Sequence, residues 1–132
     1  MKAFEDDNNC FVCGALNDGG LHLTFSENDD TGEVISKAIF SDRFQGWKGV
    51  LHGGIISTVL DEIMIKAADR KGFKCVTAEL NVRFKNPAYT NTQYLIKGKI
   101  IEVRKKLVIT EGVIIDPTNK ILASAAGKLF IL

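Results

Sequence analysis

The stretch from Gly49 to Ala68, GVLHGGIISTVLDEIMIKAA, holds the residues whose types and spacing could do chemistry. Gly53 and Gly54 have no side chains, so N–H groups of a helix that starts there are open to an anion, or to a carbonyl oxygen that is becoming one. On the helical wheel, Asp61 lies on the flank of the apolar stripe among small residues, and not opposite it where a solvating acid belongs. We therefore expect another group to pack close to Asp61.

The distance between these two features limits how they could act together. Gly53 and Asp61 are eight residues apart, which is roughly 12 Å along a helix axis at about 1.5 Å per residue. One small reacting group cannot touch both. If both act on the same bond, two copies of the helix must lie side by side and antiparallel, so the spacing predicts a site shared between the subunits of a symmetric homodimer.

Hydrophobic periodicity predicts the elements that position these residues. Apolar residues at three- and four-residue spacing indicate a helix of about five turns, and they are Ile56, Val59, Leu60, Ile63, Met64 and Ala67. Alternating patterns predict strands at 21–25 and 33–41 before the helix, and at 76–84, 93–103, 107–115 and 121–131 after it. With one helix available, the sheet must be mostly antiparallel and must curl around that helix, which is an α+β architecture.

Strict alternation also divides the strand at 76–84 into two faces. Thr77 and Arg83 fall on the polar face, which we expect to point away from the helix. Glu62 lies on the side of the helix opposite the apolar stripe, and we expect it to be an ordinary solvated acid.

Length and composition favour a single soluble domain spanning 1–132, with 1–20 as an N-terminal segment that carries cysteines. A chain of 132 residues, 45% of them hydrophobic, suits one core. The net charge of +1 gives no support to a nucleic-acid or membrane-surface role. No apolar run approaches the ~20 residues that span a bilayer, and the acidic start is unlike a signal peptide, so a cytoplasmic location is the default expectation.

The three cysteines, Cys10, Cys13 and Cys75, are an odd number and argue against a disulfide framework. The first two resemble half of a zinc knuckle. A structural zinc site needs four ligands, no second pair follows, and His22 is the only additional candidate nearby. The prediction is therefore no metal and no cofactor, with two half-buried cysteines and a turn at Gly14; cysteines pooled by two chains, or a redox pair, are the alternatives.

Several motifs together resemble the hotdog-fold thioesterases, in particular the group similar to phenylacetic-acid-pathway thioesterases. They are Leu51-His52-Gly53-Gly54 followed by Leu60-Asp61-Glu62, Cys10-Phe-Val-Cys13-Gly14, Gly19-Gly20-Leu21, and Glu79-Leu-Asn-Val-Arg-Phe-Lys-Asn-Pro87. The resemblance covers nearly the whole chain. It implies one long helix wrapped by a curved, mostly antiparallel sheet of about six strands. It also implies hydrolysis of acyl-coenzyme A thioesters by homodimers, and often by homotetramers built as dimers of dimers.

By position, the resemblance implies a role for each site residue. Gly53 would donate the N–H that polarises the thioester carbonyl, and Asp61 of the partner subunit would be the nucleophile or the general base. His52, Gln45 and Thr77 would orient the carbonyl or the water. The implied substrate-binding set comprises Gly54, Trp47 and Ser57, with Arg83, Lys85 and Arg104 as candidates for the phosphates of coenzyme A.

Two other functions fit the same fold. One is a domain that binds or senses acyl-coenzyme A without turnover. The other is a hydratase or dehydratase, which is less well supported because that chemistry would use an Asp/His pair, and neither histidine is suitably placed for it.

Overall fold

The computed structural model describes residues 4–132. In this part of the chain a single α-helix, α1 (Gly53–Asp69), accompanies six strands that form one antiparallel sheet. The strands are β1 (Ser26–Asn28), β2 (Glu33–Ile39), β3 (Cys75–Phe84), β4 (Gln93–Arg104), β5 (Leu107–Ile115) and β6 (Ile121–Ile131). Their spatial order is β1-β2-β4-β5-β6-β3, which leaves β3 at one edge with β6 as its neighbour.

The helix packs along one face of the curved sheet, against strands β2 to β6. All six residues of the predicted apolar stripe are buried. The prediction of a hotdog arrangement, with one long helix wrapped by a six-stranded sheet, is therefore confirmed. Within residues 4–132, no helix combines the length and the apolar character that crossing a lipid bilayer would require.

Glycines in the central strands allow the helix to approach the sheet closely. Gly98 of β4 and Gly112 of β5 lie opposite each other in the register. A Cβ atom at Gly98 would lie 2.8 Å from the backbone oxygen of Ile63, and one at Gly127 would lie 3.1 Å from the Met64 sulfur. A larger residue at Gly98 would therefore press on the helix backbone, whereas one at Gly127 would press on the Met64 side chain.

The prediction of a strand at 21–25 is wrong, because the first strand, β1, is Ser26–Asn28 and begins after that range. The Leu21 N–H donates to the Phe11 carbonyl oxygen and the Leu23 N–H donates to that of Val12. Between them His22 has a φ of 54°, which a strand residue does not adopt. This segment is therefore held by the turn at Cys10–Gly14, called here the cysteine turn. Only the residues after the segment pair with β2.

A bulge near the start of β3 corrects the predicted face of Thr77. The register against β6 shifts between Thr77 and Glu79, so that Thr77 pairs with Leu129, which is buried. Paired residues of an antiparallel sheet lie on the same face, so Thr77 points toward the helix. Arg83, beyond the bulge, pairs with Ser124 on the outer face as predicted.

We predict that Gly98→Ala lowers the free energy of unfolding by about 2 kcal/mol, because the added methyl meets the helix backbone and not a flexible side chain. Gly19→Ala is the matched control, since a Cβ there comes no closer than 3.7 Å to Asn17 Oδ1. Denaturant unfolding at equal protein concentrations measures both variants. Equal stability of the two variants would show that the helix does not depend on the glycine.

Candidate active site

His52 caps the start of α1. It is the residue before the first helical one, with extended backbone angles, and its ring Nδ1 accepts the Gly54 N–H at 2.8 Å. Because Nδ1 acts as the acceptor, a neutral His52 ring carries its proton on Nε2. One of the two glycine N–H groups that the sequence suggested as open is therefore occupied, and His52 itself presents a second donor at the same end of the helix.

The Gly53 N–H remains open. The amides of Ile55 and Ile56 both donate to the His52 carbonyl oxygen, whereas no acceptor within residues 4–132 takes the Gly53 N–H. A Cβ atom at Gly53 would lie 3.5 Å from the Phe84 ring at the end of β3. Glycine at this position thus leaves an unshielded donor at the positive end of the helix dipole.

The loop before the helix brings Gln45 and Trp47 to the start of α1, beside His52. The Gln45 side-chain oxygen accepts the Gly49 N–H at 3.0 Å, and Gln45 also forms a backbone bridge with Leu51. Trp47, at the tip of this loop, is 85% exposed. Two shallow depressions flank His52: Trp47 and Gly53 line one of them, while Gln45 and Gly54 line the other.

Asp61 and Thr77 form the second part of the site. The Thr77 hydroxyl donates to Asp61 Oδ1 at 2.5 Å. Within the described chain, the second carboxylate oxygen, Oδ2, has no hydrogen-bond donor. The contact exists because the bulge in β3 turns Thr77 toward the helix, and it fixes the carboxylate while leaving one oxygen available.

Within one chain the two parts of the site stay apart. The helix runs without interruption from Gly53 through Ser57 to Asp61, so Gly53 and Asp61 are separated by roughly 12 Å along the helix axis. Gly53 lies beside Phe84, and Asp61 lies beside Thr77. The two parts therefore occupy opposite ends of the edge strand β3.

The three basic residues predicted to bind substrate are not brought together. Lys85 lines a depression that it shares with Gly53 and Phe84. Arg83 points to the outer face of the sheet, and Arg104 is paired with Glu102 at 3.0 Å near the turn between β4 and β5. Of these three basic residues, only Lys85 adjoins the helix start.

Glu62 corrects the expectation of a solvated acid. It is half-buried, and its Oε2 accepts the Cys10 thiol at 3.3 Å. Burial first, and then hydrogen bonding to Glu62, raise the pKa of the Cys13 thiol to about 12. No local pattern could have indicated this cluster, because 52 residues separate Cys10 from Glu62.

Comparison with known proteins identifies a family. Residues 48–123 match the model of the thioesterase superfamily. A Saccharolobus solfataricus protein with a provisional esterase name is 30% identical over 80% of this chain and 76% of its own length. Human acyl-coenzyme A thioesterase 13 is 29% identical over 74% of this chain and 66% of its own length. A Candida albicans mitochondrial protein is matched over only 43% of its length, so the chain spans less than half of that relative.

The fold has close counterparts among solved structures. The crystal structure of one thioesterase superfamily protein superposes with a TM-score of 0.88 at 25% identity, covering 95% of this chain and 61% of that protein. The family model matches more than half of the chain and the Saccharolobus protein is matched over most of its length, so this chain belongs to the thioesterase superfamily.

Proposed function

We propose that the chain hydrolyses acyl-coenzyme A thioesters as a homodimer, at two equivalent sites. Each site combines the Gly53 N–H of one subunit with Asp61 of the partner subunit. Membership of the thioesterase superfamily supports the reaction class, and the name of the human relative supports acyl-coenzyme A as the substrate class. One observation carries the shared site: the helix places its open N–H and its carboxylate at opposite ends of an unpaired edge strand.

The edge strand β3 favours pairing with a second copy. It has ten residues, and its outer edge has no neighbouring strand in the described chain. Leu80 and Phe84 on its helix-facing side are 36% and 56% exposed. A long edge that shows unpaired backbone groups and apolar side chains invites another chain, and natural monomers usually block such edges.

Antiparallel pairing of two β3 strands would assemble the site. About the midpoint of Cys75–Phe84, the Phe84 end of one strand falls opposite the Thr77 end of the other. Gly53 adjoins Phe84 in its own chain, and Asp61 adjoins Thr77. The two-fold axis that relates the subunits therefore brings the Asp61 carboxylate of each subunit toward the open Gly53 N–H of the other, which gives two equivalent sites.

The chemistry requires oxyanion stabilisation and a positioned nucleophile. The Gly53 N–H, assisted by His52 Nε2–H, polarises the thioester carbonyl, and one such donor lowers the barrier by about 3 kcal/mol. Asp61 either removes a proton from water, which attacks the carbonyl carbon, or attacks that carbon itself and forms a mixed anhydride, which water hydrolyses to the free acid after the thiolate has left. Collapse of the tetrahedral intermediate breaks the C–S bond and releases the thiolate of coenzyme A. No metal is needed for this step because a thiolate leaves readily.

Substrate binding follows from the surroundings of Gly53. Trp47 and Phe84 offer aromatic surface on either side of the helix start, and Lys85 is a basic residue beside it. We assign Lys85 to a phosphate of coenzyme A, whereas Arg83 and Arg104 would need the second subunit to bring them near the substrate.

Gln45 holds the loop that carries Trp47. Ser57 lies between Gly53 and Asp61 along the helix. A homotetramer and a cytoplasmic location stay predictions.

We predict that Asp61→Asn lowers kcat by about 10³-fold while the protein remains dimeric, because the amide can neither accept a proton nor attack the carbonyl. Release of free thiol from short, medium-chain and aromatic acyl-coenzyme A substrates measures activity, and light scattering measures the dimer. Asp69→Asn, at the exposed end of the same helix, should retain wild-type activity.

Two results would contradict this assignment. Unchanged turnover in Asp61→Asn would exclude Asp61 as the reacting group. If the wild-type protein released no thiol from any of these substrates, but its Tm rose in their presence, the protein would be a sensor and not a hydrolase.

Two substitutions at His52 separate its capping role from its proposed role in polarising the carbonyl. His52→Ala should lower the free energy of unfolding by about 1 kcal/mol, whereas His52→Asn should preserve it because asparagine is a good helix cap. Both should lower kcat about 100-fold, since each removes the Nε2–H donor. Denaturant unfolding and thiol release measure the two effects. Full activity in His52→Asn would limit His52 to its structural role.

A further inference from the structure

The cysteine turn forms a cluster that the proposed hydrolysis does not use. The sulfur atoms of Cys10 and Cys13 and a carboxylate oxygen of Glu62 all lie within 4.8 Å of one another. The three residues are half-buried, so the cluster is sheltered but open to small solutes. Glu62 follows Asp61 in sequence, but its side chain meets the N-terminal segment and not β3.

The turn itself is folded around the Cys10 sulfur. The N–H groups of Val12 and Cys13 point to that sulfur at 3.4 and 3.5 Å, and the Gly14 N–H closes the turn on the Cys10 carbonyl oxygen at 2.9 Å. A Cβ atom at Gly14 would lie 2.3 Å from the Cys10 nitrogen, so only glycine fits. Amide groups aimed at a sulfur stabilise negative charge on it, as the outer-shell donors of metal-bound thiolates do.

The separations suit a tetrahedral cation. Zinc bonds of about 2.3 Å to sulfur and 2.0 Å to oxygen place the ligand atoms roughly 3.5 to 3.8 Å apart. Cys10 Sγ and Glu62 Oε2 are 3.3 Å apart, and no pair in the cluster exceeds 4.8 Å. Adjustments of about 1 Å, within the reach of side-chain rotation, would complete the geometry.

The local charges also balance. Two thiolates and one carboxylate carry three negative charges, and the Lys66 ammonium lies beside Cys13 and Glu62. A divalent cation and this ammonium neutralise the cluster, and a bound cation stabilises the thiolate form of its sulfur ligands. Two sulfur ligands favour a thiophilic ion such as zinc over magnesium or calcium.

We propose that Cys10, Cys13 and Glu62 bind one zinc ion per chain, with water as the fourth ligand. The ion would fasten the N-terminal segment to the middle of α1, one residue beyond Asp61. Residues 4–132 supply no fourth His, Cys, Asp or Glu to the cluster, which leaves that position to solvent. This proposal is independent of the thioester chemistry, because it concerns residues that take no part in it.

The test uses the full chain, reduced and stripped of metal with a chelator. Titration with zinc against a chromogenic competitor should give one site per chain, and cobalt should produce thiolate-to-metal charge-transfer absorption with the intense visible bands of a tetrahedral ion. Cys10→Ser, Cys13→Ser and Glu62→Gln should each weaken zinc binding about 100-fold. Cys75→Ser is the control: Cys75 lies in β3 outside the cluster, and its variant should bind as the wild type does.

Thermal unfolding gives a second readout. Zinc at a hundredfold excess over its wild-type Kd should raise the Tm of the wild type and of Cys75→Ser by roughly 5–10 °C, and it should raise that of Cys10→Ser by no more than about 2 °C. Failure of the reduced chain to take up zinc or cobalt would overturn the proposal, as would undiminished binding by a Cys10→Ser, Cys13→Ser double variant. A Cys10–Cys13 disulfide found together with no metal uptake would make the pair a redox site instead.

Discussion

The continuity of one α-helix is the constraint on which the rest of the structure depends. An unbroken helix is rigid over two turns, so the open N–H at its start and the carboxylate of Asp61 stay roughly 12 Å apart whatever the surrounding chain does. The sheet holds the helix in this position through the glycines of its central strands, which let it approach to van der Waals contact. A reaction that needs both groups must therefore draw one of them from a second molecule, and the unpaired edge of β3 offers the place for it.

Side chains on three sides of the helix contact three different parts of the molecule. Its apolar stripe faces the sheet, Asp61 turns toward β3, and Glu62 turns toward the cysteine turn. Neighbouring residues on a helix point about 100° apart, which is why two successive acids can belong to separate sites. Asp61, which accepts a hydrogen bond from Thr77, and Glu62, which lies beside the two thiols, thus carry the same chemical group. They differ only in the residues that the fold places next to them.

The elements with regular hydrophobic periods could be predicted from the sequence. The apolar residues of the helix recur at three- and four-residue spacing, and the residues of the four strands after it alternate. These patterns predicted where the elements lie in the sequence and that the sheet is antiparallel. The bulge at Thr77 could not be predicted, because the apolar and polar residues of the sequence alternate straight through it and no glycine or proline marks it. The segment 21–25 alternates like a strand, yet its backbone bonds to the cysteine turn. Glu62 meets Cys10 only through tertiary packing, which a local pattern does not encode.

Complementation between two inactive subunits tests the shared site most directly. Gly53→Pro removes the N–H donor at a helix position that proline tolerates, and the extended backbone of His52 is compatible with a following proline. In a hybrid dimer of Gly53→Pro and Asp61→Asn subunits, purified through two different tags, one site regains both wild-type groups and the other loses both. The hybrid should recover about half of the wild-type activity. No activity above that of the two parent dimers would show that the groups do not act across the interface.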